Sequence, residues 1–252
     1  MVSRATAVPL TLTLGADLRY FDYEEFGVND QSLNQETGLI PGLRIAAGVP
    51  SFGIDHTLEF GVWGGEVEYD GRTQSGQPHH TVTDDVIYRL LYRFDWRPRD
   101  PKGSLYAKIY WQNWDRDIQP ANSVSGLFER YQWWSFEAGL RAVPWQQQNR
   151  SLAFELGVLQ TNHGVIMIDL SDQGFGTPTL NLADGLGATA AVEYAIELAS
   201  HNQLHFYLSC TTWKFGRSNS KAVTNGTSTI IITEPDSVSN QITLSFGYVL
   251  GF

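Results

Sequence analysis

Along much of this chain, apolar and polar residues alternate one for one. In "VPLTLTLGADLRY", Leu10, Leu12, Leu14, Ala16, Leu18 and Tyr20 fall on one face, opposite Thr11, Thr13, Gly15, Asp17 and Arg19. A period of two belongs to a β-strand, because successive side chains leave the pleat in opposite directions. The pattern returns in "VIYRLLYRFDW" (Val86, Tyr88, Leu90, Tyr92, Phe94, Trp96) and in "SLYAKIYWQNW", where Leu105, Ala107, Ile109 and Trp111 oppose Tyr106, Lys108, Tyr110 and Gln112. "QLHFYLSC" repeats it with Leu204, Phe206, Leu208 and Cys210. Ten segments of this kind are predicted, near residues 8–26, 36–49, 56–69, 82–96, 103–114, 129–143, 150–168, 184–199, 203–217 and 238–252.

The connections alternate in length. Tight ones ("PSFGID", "RPRDPK", "PWQQQN", "HNQ") follow the even-numbered segments, and longer ones rich in Gly, Ser, Asn and Asp (70–81, 115–128, 169–183, 218–237) follow most of the odd ones. Short turns on one rim and long loops on the other describe a membrane barrel with an even strand number and both termini on the short-turn rim. The fold class predicted is therefore all-β: a closed antiparallel transmembrane β-barrel of about 10 strands, up-and-down, forming one domain over residues 1–252. Tyr20, Tyr23, Phe26, Tyr69, Trp111, Trp114, Tyr131 and Trp134 near the long loops, and Phe94, Trp96, Trp145, Phe246, Tyr248 and Phe252 near the short turns, are expected to form two aromatic girdles.

Composition supports this. Charged residues are only 17% and aromatics 13%, against about a quarter charged in an ordinary soluble domain. The net charge of −10 disfavours nucleic acid, whose phosphates need a basic face. No apolar run approaches the 18 or so residues of a transmembrane helix. The opening "MVSRATAVPL" lacks the apolar core of a secretory signal, so an exported protein would have lost its signal peptide, with Met1 added. Cys210 alone permits neither an intrachain disulfide nor a paired-cysteine metal site.

The last residues, "LSFGYVLGF", place Leu244, Phe246, Tyr248, Leu250 and Phe252 on one side and Gly247, Val249 and Gly251 on the other. This tail resembles the C-terminal aromatic assembly signal of Gram-negative outer-membrane β-barrel proteins. The resemblance covers about ten residues as a motif and the whole chain as an architecture. It implies a bacterial outer-membrane location, contact with lipid and lipopolysaccharide, and recognition by the barrel assembly machinery during biogenesis. A monomer is expected.

If the apolar positions face lipid, the intervening ones face the lumen. These include Asp17, Arg19, Arg44, Glu59, Arg89, Arg93, Asp95, Lys108, Glu137, Arg141, Glu155, Glu193, Glu197 and His205. A small barrel encloses little water, so such charges must mostly pair. They form either a closed structural network or a narrow path whose selectivity they set. With Arg19, Arg44, Arg89 and Arg93 on early strands and Glu137, Glu155, Glu193 and Glu197 on later ones, a basic wall facing an acidic wall is expected.

Ten-stranded outer-membrane barrels also include the omptin proteases, to which this chain is a poor match. That family activates water with an Asp pair and an Asp-X-His pair. Here Asp84 and Asp85 are adjacent, so alternation sends them to opposite faces, and Thr161 stands two residues before His163 where an Asp is required. His79 and His80, adjacent on an extended chain, likewise point apart and read as a solvated loop; Asp169 and Asp172 read as turn residues, and Asn225-Gly226 as a hairpin apex carrying the arm Thr229 to Thr233. No cofactor or metal motif is recognised. The function expected is a narrow, porin-like channel for small solutes or ions, with the lumen charges as filter. The alternatives are a non-conducting surface protein that binds a partner through its loops, and an omptin-like hydrolase.

Overall fold

The computed structural model describes residues 10–72, 76–97, 102–121, 123–198 and 202–252. Its strands are β1 (Thr11–Phe26), β2 (Ser32–Ser51), β3 (Ile54–Arg72), β4 (Pro78–Trp96), β5 (Gly103–Ile118), β6 (Leu127–Gln147), β7 (Arg150–Asp169), β8 (Thr179–Asn181), β9 (Gly185–Glu197), β10 (Gln203–Phe215), β11 (Lys221–Thr224), β12 (Thr229–Ile232) and β13 (Asp236–Gly251). All ten predicted segments are strands. They pair antiparallel in the order β6-β5-β4-β3-β2-β1-β13-β10-β9-β7, and β7 returns to β6, so the sheet closes into a ten-stranded barrel without an edge. β8 lies beside β7 above the closed sheet.

The outward face is apolar only over part of each strand. On β3 it runs from Ile54 to Val62 and then turns to Glu66, Glu68 and Asp70; on β4 it runs from Trp96 to Val86 before reaching Asp84 and His80; on β5, Leu105 to Trp111 precede Asp115 and Asp117. About nine residues per strand match the depth that a tilted strand needs to cross a bilayer. Leu244 (56% exposed), Phe246 (44%) and Phe252 (74%) belong to this outward band. The opposite side of β13 is small, and the Gly247 backbone leaves space toward Thr13 and the Arg44 guanidinium. Beyond the band the strands continue toward the long loops as a projecting wall.

The long-loop mouth is roofed. β11 and β12 form the hairpin expected around Asn225, whose side-chain oxygen accepts hydrogen bonds from the Thr227 and Ser228 amides while Gly226 turns the chain at φ +89°. Asn225 Nδ2 donates to the carbonyl of Gln173, tying this hairpin to the β7–β9 connection. Leu170, Leu180, Leu182 and Ile232 from the two loops join the buried core. Of the Thr229–Thr233 arm, Ile232 is thus buried while Ile231 stays exposed, because burying Ile232 removes apolar surface from water.

Beneath the roof, the long-loop half of the interior is filled. Phe21, Tyr23, Ile40, Trp63, Val67, Ile87, Trp114, Tyr131, Trp133, Leu159, Ile166, Trp213 and Phe215 are buried together. This corrects the expected outer girdle at four positions: Tyr23, Tyr69, Trp114 and Tyr131 point inward. Trp114 stacks on Tyr131 at 4.9 Å and meets Phe21 and Tyr23 edge-on. Tyr20, Trp96, Trp134 and Trp145 are exposed on the outer face, as expected.

Candidate functional site

Below the aromatic layer lies a cavity of about 700 Å³ that reaches the short-turn rim, where Val49, Pro50, Arg97, Gln148, Arg150 and Glu197 line it. Its walls carry the charged residues that alternation placed inside. Inward positions on neighbouring strands bring opposite charges side by side. Arg44 Nε donates to Asp17 at 3.0 Å and its Nη1 to Glu59 at 3.4 Å; Arg89 reaches the other Glu59 oxygen at 2.9 Å. A second cluster surrounds Glu155, which accepts two hydrogen bonds from Arg93 (2.8 and 3.0 Å), one from Arg141 (2.8 Å) and one from Tyr207 (3.3 Å). Arg93 also grips Asp95 with two bonds of 2.6 Å, Lys108 binds Glu137 at 2.8 Å, and Glu193 is held by Arg141 and His205, both at 2.6 Å. Glu197 stands apart at the rim, exposed.

These pairs correct the two-wall expectation. Asp17, Glu59 and Asp95 neutralise the arginines of the early strands, while Lys108, Arg141 and His205 accompany the later glutamates. Arg93–Glu155 links β4 to β7 across the lumen, and Lys108–Glu155 (3.9 Å) and Arg141–Glu193 likewise skip a strand.

At the ceiling of the cavity, Trp63 lies over Gly42 and Gly61, whose missing side chains make room for its ring: a Cβ at either would overlap the indole. Trp63 Nε1 donates to Asp17 at 3.1 Å, and the guanidinium carbons of Arg19 and Arg89 approach the same ring to 4.0 and 4.8 Å. Arg19 is 2% exposed.

A third cluster, missed by sequence reasoning, lies in the projecting wall beyond the apolar band. Arg116, 1% exposed, is bonded to Glu25 (3.0 Å), Glu36 (2.9 Å) and Glu129 (2.6 Å). Thr83 donates to Glu36, Trp114 to Asp85, and Tyr131 to Glu234, which descends from the roof. Among the described residues, five buried carboxyl groups therefore gather around one cation, which pairs directly with three of them. Burial, opposed by the Arg116 charge, raises the carboxyl of Glu129 to about 7, and burial with repulsion from Glu25 raises that of Glu234 well above its ordinary range. The parity of Glu25 with Asp17 and Arg19, and of Arg116 with Lys108, was the available signal.

The omptin-like residues do not assemble. Asp84 is outward and exposed, whereas Asp85 is buried under Trp114. Thr161 is buried and bonds the carbonyls of Gly185 and Lys214, and exposed His163 sits at φ +53° beside a bulge. The adjacent histidines do diverge, yet only His80 is solvated, 3.0 Å from Asp70; His79 is buried against Tyr69, so the loop reading fails for it. Asp169 caps its turn by accepting from the Ser171 amide and hydroxyl.

These features define a class: the chain has the fold of bacterial outer-membrane β-barrels. Among solved structures it is similar to the outer membrane protease OmpT from Escherichia coli, with a TM-score of 0.59 and 9% identity over 97% of this chain and 96% of that one. The translocator domain of the autotransporter NalP from Neisseria meningitidis (TM-score 0.48, 8% identity, 94% and 88% covered) and OprG from Pseudomonas aeruginosa (0.44, 10%, 97% and 96%) align less well. No family model and no curated protein matches the chain. At these identities the likeness speaks for the fold alone.

Proposed function

We propose that this chain is a bacterial outer-membrane barrel that acts by binding, with a lumen closed to ion flow. The observation that carries the reading is the continuous buried layer of Trp63, Trp133, Trp213, Phe21 and Trp114 between the cavity and the roofed mouth. A conducting path would need that layer and the tied loops to move together. In this reading Arg93, Asp95, Lys108, Glu137, Arg141, Glu155 and Glu193 act as a cross-brace rather than as a filter, since their polar atoms are mostly spent on one another. The outward band meets lipid and lipopolysaccharide, the chain works as a monomer, and Leu244, Phe246, Tyr248, Leu250 and Phe252 serve the assembly machinery as its recognition stripe. The test is planar-bilayer conductance of the refolded barrel in symmetric salt. Silence is expected; discrete unitary steps would return the sequence-based channel reading to first place.

A further inference from the structure

The closed end of the cavity has donors left over. Each oxygen of its carboxylates already has a donor: Asp17 Oδ1 accepts from Arg44 and Oδ2 from Trp63, while Glu59 Oε2 accepts from Arg44 and Oε1 from Arg89. Yet Nε and Nη1 of Arg19, Nε of Arg89, the indole nitrogen of Trp213 and Nε2 of Gln241 are buried without a partner. All four residues line the cavity. The register puts three of them on adjoining strands: Arg19 stands opposite Thr243 on β13, Gln241 lies two residues before Thr243, and Gln241 in turn stands opposite Thr211 on β10, two residues before Trp213. Buried donors without acceptors are costly and seldom left so.

Charge gives the same answer. Arg19, Arg44 and Arg89 face Asp17 and Glu59, three positive charges against two, and no carboxylate among the described residues lies within ion-pair distance of Arg19. The balancing negative charge belongs to the Glu155 cluster, where Asp95, Glu137, Glu155 and Glu193 outnumber Arg93, Lys108 and Arg141 but are engaged by them and by His205. Water could satisfy the stranded N–H groups, but it would leave the local charge of plus one unmatched. The shortfall is a single negative charge with hydrogen-bond acceptors, set against the rings of Trp63, Trp133 and Trp213.

We propose that the closed end of the cavity binds the carboxylate of a small monocarboxylic acid that enters from the short-turn rim, with its apolar part against the indoles. The cavity volume of about 700 Å³ suits such a ligand. Arg19 supplies the charge, and Gln241 and Trp213 supply neutral donors. The inference rests on the closed-lumen reading, since a through-pore would leave no closed end.

The test is calorimetric titration of the refolded full chain in detergent with sodium benzoate, its neutral isostere benzamide and inorganic phosphate. Saturable benzoate binding is expected, at least about tenfold tighter than that of benzamide, the loss typical of one charge-assisted hydrogen bond. Arg19→Gln should weaken benzoate about tenfold or more while leaving benzamide unchanged. Gln241→Leu keeps every charge and should weaken benzoate by a smaller factor, which guards against an Arg19 variant that folds poorly. Equal binding of benzoate and benzamide, unchanged affinity in both variants, phosphate preferred over benzoate, or no saturable binding would each overturn the proposal. Absent binding in a barrel that is electrically silent sinks the site alone, whereas conductance steps sink the closed-lumen reading beneath it.

Discussion

Among the described residues Arg116 is the sole cation paired with Glu25, Glu36 and Glu129, which are buried with Asp85 and Glu234 in the wall that projects beyond the apolar band. Replacing it with Met keeps the volume and removes the charge. Breaking a buried pair by deleting one partner costs about 3–5 kcal/mol, and here three carboxylates lose a bond at once, so the upper end of that range is expected at pH 8. The loss should depend on pH with a definite sign. Burial holds the Glu129 carboxyl at about 7, against 4.5 in the unfolded chain. The folded state therefore binds more protons between those values, and the intact protein loses stability as pH rises through that window, by about 3 kcal/mol from this group. Without the Arg116 charge, which lowers the carboxyls of Glu36 and Glu129, these two hold their protons to still higher pH, so the gap from the parent should widen between pH 5 and pH 8. Urea unfolding of the barrel in lipid vesicles, followed by tryptophan fluorescence at pH 5, 6.5 and 8, measures this gap. An Arg116→Met barrel as stable as the parent at pH 8, or a gap that does not widen between pH 5 and 8, would refute the reasoning.

Gly42→Ala drives a Cβ into the Trp63 ring; a loss of about 1–3 kcal/mol is expected from overpacking, with a shifted tryptophan emission as the sign that Trp63 has moved. Phe246, expected in the short-turn girdle, instead lies in the middle of the outward apolar run Ile242–Phe252, edge-on to Phe206 at 5.4 Å, so Phe246→Arg should destabilise the lipid-embedded barrel by about 2–4 kcal/mol and should cost far less in a soluble protein. Cys210 is outward between Leu208 and Thr212 and pairs with Ile242; in proteoliposomes it should resist a charged maleimide yet react with a lipid-soluble one, and equal labelling by both would show that this face is not in lipid.

The ten strands and the two faces of each were legible in the chain, because alternation is a local property and every barrel strand must separate a bilayer from an interior. The lumen positions from Asp17 to Glu193 followed from parity alone. Parity also placed Tyr23, Tyr69, Trp114 and Tyr131 inside, and they were misassigned only because aromatics near strand ends also suit a membrane interface, so residue type and face gave conflicting answers there. Other features were beyond any local signal. Arg93 meets Glu155 across 62 residues and Arg116 meets Glu25 across 91; such pairs exist only once the sheet has closed with one particular stagger. The roof over the mouth, the five acids gathered around one guanidinium and the unmatched charge of Arg19 arise in the same way. Sequence determined which side chains turn inward, since that depends on each residue and its two neighbours. Closure decided which of them touch, since that depends on the register of all ten strands together.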